Sequence, residues 1–147
     1  MELAYKRIQD AAEFEAFRAL VKSSGLPTDD LSPENSILIG YYDGPSLVGT
    51  GALERLGDYA LLRSLSVKLG VRGKSLGSNI TEALIDEARN QHVKAIYLLT
   101  ETAREFFHKK GFKDVQRDAV PDAVKNSSEF SHVCPDTAAC MFYELSK

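Results

Sequence analysis

The chain has 147 residues, 44% of them apolar, which suits one domain with a single sizeable core, and its net charge is only −3. So small a charge excludes a chain-wide polyanion binder and leaves only a local basic patch open to a phosphate-bearing ligand. Cys134 and Cys140 are too few and too close together for a disulfide framework and lack the companion ligands of a zinc site, so both read as reduced thiols and no metal is expected.

The opening MELAYKRIQDAAEF carries acids early and has no continuous apolar run of signal-peptide type, and no later segment reaches membrane-spanning length. The expectation is a soluble cytoplasmic protein with neither a membrane nor a nucleic-acid partner. Residues 3–8 read as a short strand. Asp10 and Glu13 then make a capping-box pattern ahead of a helix that buries Phe14, Phe17, Leu20 and Val21. The run SGLPTDDLSPEN is dense in turn residues, with room for one helical turn, and is the candidate loop over a site.

Two apolar runs follow, SILIGYY and SLVGTGALERL, parted by Asp43, Gly44 and Pro45, and YALLRSLSV comes after Gly57 and Asp58. Connections this short predict an antiparallel meander. From Leu76 the apolar positions Leu76, Ile80, Ala83, Leu84 and Ala88 fall on one helical face, and AIYLL is a short run suited to a buried strand. Thr102 and Glu105 form a second capping-box pattern before AREFFHKK, and Gly111 marks the end of that helix. Pro121 opens one more helical turn, and AACMFYEL supplies a last strand.

Between the meander and the second long helix lies LSVKLGVRGKSLGSNI. A strand feeding a glycine-bearing turn and a helix start gathers backbone N–H groups and the positive end of the helix dipole at one point, a site for a phosphate-sized anion. Gly73 and Gly77 allow close approach, and Arg72 and Lys74 add charge at the rim. The spacing fits neither a Walker loop nor a dinucleotide fingerprint. On these residues alone, a phosphate cradle and a plain solvated turn stand level.

Loop and element order together resemble the GNAT acetyltransferase superfamily, whose acetyl-CoA loop runs Arg or Gln, two residues, Gly, one residue, Gly or Ala. Arg72 and Gly77 match its ends, while Ser75 stands where the middle glycine is usual. GLPTDDL, LLRSLSV, AIYLLTETAREFFHKKGF and EFSHVCPDTAACM extend the resemblance over nearly the whole chain, and look like the small GNAT branch associated with arsenic-resistance operons.

The resemblance implies a single α/β domain over residues 1–147, with a mixed, mostly antiparallel sheet flanked by helices and splayed at the acetyl-CoA site after SLSV. It implies pantetheine on Leu65, Ser66 and Val67. Pyrophosphate would lie on Val71, Arg72, Gly73, Lys74, Ser75, Leu76, Gly77 and Ser78, with Thr100, Phe106 and Phe107 flanking the far end of the cofactor. Acetyl-CoA would be the donor, and because relatives often dimerise, a homodimer stays open.

Acetyl transfer needs a neutral amine, a donor to polarise the thioester carbonyl and a proton for the departing thiolate. Many relatives carry a basic glutamate where this chain has YALLR, and a tyrosine where it has Phe106 and Phe107; neither is present. Glu54, across the hairpin from YALLR, is the candidate base acting through water, its other reading being an exposed glutamate paired with a cation. Alternation puts Arg63 on an apolar face with Leu61, Leu65 and Val67, where its charge must find a partner. That partner is either an internal carboxylate or the carboxylate of a small amine substrate gripped in a bidentate fork, and the resemblance favours the substrate. His132 is the candidate acid for the thiolate, ahead of Ser131 and Cys134. The expected activity is N-acetylation of a small, amino-acid-like amine by direct transfer. A peptide amino terminus is the alternative acceptor, and a non-catalytic CoA-binding sensor the alternative of a different class.

Overall fold

The computed structural model describes residues 3–26, 28, 31, 32, 34, 36–68, 76–101, 103–127 and 138–145, with side chains from residue 5 onward. Helix α1 (Ala11–Ser23) begins at the expected capping box. Asp10 Oδ1 accepts the Glu13 N–H at 2.8 Å, and Glu13 Oε1 accepts the Asp10 N–H at 3.3 Å, so two of the helix's otherwise unpaired donors are satisfied reciprocally. Phe17 and Val21, one turn apart, form its fully buried stripe.

Seven strands make one sheet: β1 (Leu3–Arg7), β2 (Ser36–Asp43), β3 (Ser46–Leu56), β4 (Tyr59–Val67), β5 (Ala95–Thr100), β6 (Lys113–Asp114) and β7 (Ala139–Glu144). Their order is β1-β2-β3-β4-β5-β7-β6, and every neighbouring pair is antiparallel except β4 with β5. The meander is closed by Gly44 and Gly57, at φ of 60° and 65°, where the tight turns need left-handed backbone. The single parallel pair follows from the crossover through α2 (Leu76–Asn90), because strands joined by a helix return in the same direction.

Leu76, Ile80, Leu84 and Ala88 are the buried stripe of α2 and pack on Ile39, Leu53, Leu62, Ile96 and Leu98 of the sheet. Close approach requires Gly51 in β3, since a Cβ there would fall 2.6 Å from Ile80 and 2.8 Å from Leu84. On the opposite face α1 covers Leu38 and Ala52, and α4 (Asp122–Lys125) places Val124 with Leu61, Tyr97 and Cys140. Each fully buried Leu, Ile or Phe of these clusters contributes roughly 1.5–3 kcal/mol.

Helix α3 (Arg104–Lys109) departs from its expected cap. Thr102 lies outside the described residues, and the N-cap is Ala103, which has no side-chain acceptor and makes no cap bond. Thr100 Oγ1 accepts the Ala103 N–H at 3.0 Å instead, holding the turn from β5 into the helix. The two-residue β6 and a 3-10 turn over Arg117–Ala119 were not signalled by periodicity, being too short to show one.

Candidate active site

Strand β4 follows β5 for three residue pairs only, Tyr59 with Ala95, Ala60 with Ile96 and Leu61 with Tyr97, and then leaves it. The cause is in the pairing with β3, where Thr50 opposes Ser66 but Ala52 opposes Arg63, so β4 carries one extra residue. Ser64 takes the left-handed conformation there, at φ 61°, and Thr50 Oγ1 donates to its carbonyl at 2.7 Å. Such a bulge bends the strand that carries it. The sheet therefore parts inside the strand, after Leu61, rather than after SLSV as expected.

The same residue corrects the placement of Arg63. An inserted residue inverts alternation, so Leu65 and Val67 join Leu62 under α2, while Leu61 packs with α4 on the other face. Arg63 shares the face of Leu61 and not that of Leu65 and Val67. Its Nη1 donates to Glu54 Oε1 at 3.1 Å, with the two side chains 1% and 10% exposed. Of the two readings of Arg63, the internal carboxylate is the one displayed. Glu54 is paired with a cation, as its second reading had it, but it is buried rather than exposed.

Where β4 and β5 part, a cleft of about 960 Å³ opens. One wall is Leu65, Ser66 and Val67; its floor at one end is the first turn of α2, Leu76, Gly77 and Ser78; Ala103 and Phe106 face them, and Ser24 and Leu26 close it from the end of α1. These include seven of the residues expected to hold the cofactor: Leu65, Ser66, Val67, Leu76, Gly77, Ser78 and Phe106. Thr100 and Phe107 are not among the residues lining the cleft: the Thr100 hydroxyl accepts the Ala103 N–H, and Phe107 turns into the core beside Phe112. Val71, Arg72, Gly73, Lys74 and Ser75 lie outside the described residues, as do Ser131, His132 and Cys134.

Three features of the cleft were not anticipated. The Ser24 and Ser66 hydroxyls hydrogen-bond to each other, and Ser66 also reaches the Leu20 carbonyl at 3.3 Å, so α1 is tied to the cleft wall. Lys110 Nζ donates to Ser78 Oγ and lies 3.4 Å from Glu82, which sets a largely buried ammonium against the first turn of α2. Arg104 lines the cleft while its guanidinium forks onto Asp114 at 2.9 and 2.6 Å, and that contact holds the Asp114 carboxyl below the usual carboxylate range. Among the described residues no group of three or more acidic, His or Cys side chains is placed to hold a metal ion.

Residues 4–112 match the model of the acetyltransferase (GNAT) family. The chain belongs to that family. Its fold is that of an acyl-CoA-dependent N-acetyltransferase, and similar solved structures carry CoA. N-acetylglutamate synthase from Neisseria gonorrhoeae, complexed with coenzyme A and N-acetyl-glutamate, superposes with a TM-score of 0.80 at 16% identity over 100% of this chain. This chain spans only 36% of that protein's length. Rv2747 from Mycobacterium tuberculosis, in complex with CoA and NLQ, gives 0.80 at 21% identity over 97% of this chain and 99% of its own. A GNAT acetyltransferase from Staphylococcus aureus Mu50 gives 0.77 at 16% identity, covering 99% and 100%.

Proposed function

We propose that the chain transfers the acetyl group of acetyl-CoA to the amine of a small, carboxylate-bearing, amino-acid-like acceptor. The observation that carries the reading is the cleft between the parted strands, running from the β4 bulge to the first turn of α2. A long thioester arm can hydrogen-bond along an extended strand that has parted from its neighbour, and a pyrophosphate suits a helix start with Lys110 beside it. The opened segment of β4 supplies that strand, and Gly77 leaves room, since a Cβ there would come no closer than 3.8 Å to the Phe106 ring.

The acceptor binds on the opposite face, where Arg63 and Glu54 lie beside the bulge. Arg63, buried and engaged by Glu54, fixes that carboxylate rather than gripping the acceptor, Glu54 relays the amine proton through water, and His132 protonates the departing thiolate. Support for an amino-acid-like acceptor comes from the likeness to an enzyme solved with N-acetyl-glutamate and from the resemblance to the arsenic-resistance branch, related to enzymes that acetylate amino-acid-like toxins.

Thiol release from acetyl-CoA, measured over a panel of free amino acids and short peptides, tests this. Release with amino acids is expected. Release with peptides alone moves the acceptor to a peptide terminus, and CoA binding without release from any amine overturns the enzymatic reading in favour of a sensor. An unchanged pH–rate profile in Glu54→Gln removes Glu54 as the base.

A further inference from the structure

With Arg63 held by Glu54, the carboxylate of an acceptor needs a different cation. A second pocket, of about 530 Å³, opens around the start of β7 and is lined by Arg104, Asp114, Val115, Arg117, Ala138 and Cys140 among others. Val115 and Cys140 pack with Leu61 and Tyr97, on the face of Arg63, whereas Asp114 stands opposite Met141 of the cluster under α2. The pocket therefore wraps the end of the sheet and joins its two faces. It does so where the sheet is parted, since Cys140 is opposite Leu99, beyond the last β5 residue that pairs with β4. Among the described residues, only Arg104 lines both this pocket and the cofactor cleft.

The contacts of Arg104 leave it ready for a second anion. Nε and Nη2 fork onto Asp114 at 2.9 and 2.6 Å, which engages one edge of the guanidinium. The other edge, Nη1 with the remaining N–H of Nη2, presents two more parallel donors and has no partner among the described residues. Asp114 is braced in turn by His108, whose Nε2 lies 3.1 Å from Oδ2, so the plane of the fork is set before any ligand arrives. The Arg104 and Asp114 side chains are 60% and 44% exposed, and a pair that open adds little to stability. What it does is aim a planar, permanently charged group at the one junction of cleft and pocket. Arg117 brings a second guanidinium to the same pocket, donating to the Ala138 carbonyl at 3.3 Å.

We infer that Arg104 receives the α-carboxylate of the acceptor on its second edge, with the acceptor's amine in the cleft and its side chain in the pocket. This rests on the amino-acid-like acceptor proposed above and names the residue that reads the carboxylate. Arg104 acts in binding and not in the chemistry. It holds the acceptor at one end so that the amine meets the thioester, a bidentate clamp of the kind that turns an encounter into an oriented complex. An amino-acid amide, or the first residue of a peptide, has the same amine and no carboxylate beside it.

The experiment therefore compares an amino acid that the unsubstituted protein acetylates with its α-amide. The readout is the acid-to-amide ratio of kcat/KM, set against the same ratio in each variant so that the different basicity of the two amines cancels. In Arg104→Met, which keeps the apolar stem, the ratio falls about 10- to 100-fold, the worth of a charged hydrogen-bonded contact. The loss lies in KM for the acid, while amide turnover and KM for acetyl-CoA stay unchanged. Arg104→Lys, a point charge that cannot fork, regains only part of the ratio. Amide turnover also reports whether each variant is folded. A ratio that survives Arg104→Met, with acid and amide falling together or not at all, makes Arg104 a brace for α3 and overturns the inference while the acceptor reading stands. If the unsubstituted protein acetylates no free amino acid, both fall.

Discussion

Strand β4 is two structures in one. Residues 59–61 are hydrogen-bonded to β3 on one edge and β5 on the other, and Ala60 and Leu61 are fully buried. Residues 62–67 keep β3 but have left β5, and Leu65 and Val67 are half-exposed along the cleft. The difference shows that one inserted residue, not a change of composition, opens a closed sheet into a cleft. Before the bulge an apolar side chain contributes to stability; after it the same kind of side chain lines the cleft.

The pair at the border gives the largest expected effect. Arg63→Met leaves Glu54 buried without its cation and should cost about 3–5 kcal/mol by urea unfolding, because an uncompensated buried charge is far worse than none. Replacing both, as Glu54→Leu with Arg63→Met, should restore most of that stability. Recovery of acetyl transfer along with stability would show that the pair only braces the bulge. Recovery of stability without transfer would place the pair at the acceptor.

Next comes a direct contrast between the halves. Leu61→Ala, at a site with 0% exposure, should cost roughly 2–5 kcal/mol. Val67→Ala, half-exposed on the cleft wall, should cost less than about 1 kcal/mol yet raise KM for acetyl-CoA several-fold. Equal losses of stability at the two positions would mean that β4 is not divided at the bulge.

How much of this was legible in LLRSLSV follows from what a bulge is. Every strand but β6, both long helices and the capping box at Asp10 were readable because period and punctuation repeat over many residues. The bulge is one residue, and it carries Ser64 where left-handed backbone usually selects glycine, so nothing in the string marks it. Counting alternation straight through therefore put Arg63 with Leu65 and Val67. The hairpin was readable from Gly57, which put Glu54 across from YALLR, while the register that sets it opposite Leu61 and within reach of Arg63 is seen only in the structure. Phe106 and Phe107 are adjacent on a six-residue helix, and no pattern that short says which one faces the core. The contact from Lys110 to Ser78, 32 residues earlier, depends on where a long flexible side chain reaches, which local sequence does not encode.

That contact carries a smaller prediction. Lys110→Met keeps the apolar stem, so stability should change by no more than about 0.5 kcal/mol. A cation beside the α2 start that turns to a phosphate should be missed more in binding: the Kd for CoA should rise about 10-fold, and its dependence on salt should flatten. Unchanged salt dependence would mean that Lys110 only ties α2 to the end of α3.

The smallest effect concerns the other wall of the opened region. Past the split, β5 is backed by β7, with Leu99 opposite Cys140, so the β5 side stays covered where the β4 side does not. Burial pushes the Cys140 thiol up to about 11 from 9.0. Between about pH 9 and 11 the unfolded chain therefore releases this proton while the folded one retains it, so the folded state binds more protons and stability falls as pH rises through that window. Below it, Cys140 contributes no slope. The thiolate is the reactive form, so at pH 8 iodoacetamide should modify Cys140 at least about 100-fold more slowly in the folded protein than in urea, with peptide mapping separating it from Cys134. Comparable rates in the two states would mean that the β5 wall opens as readily as the β4 wall, and that the asymmetry between them does not hold in solution.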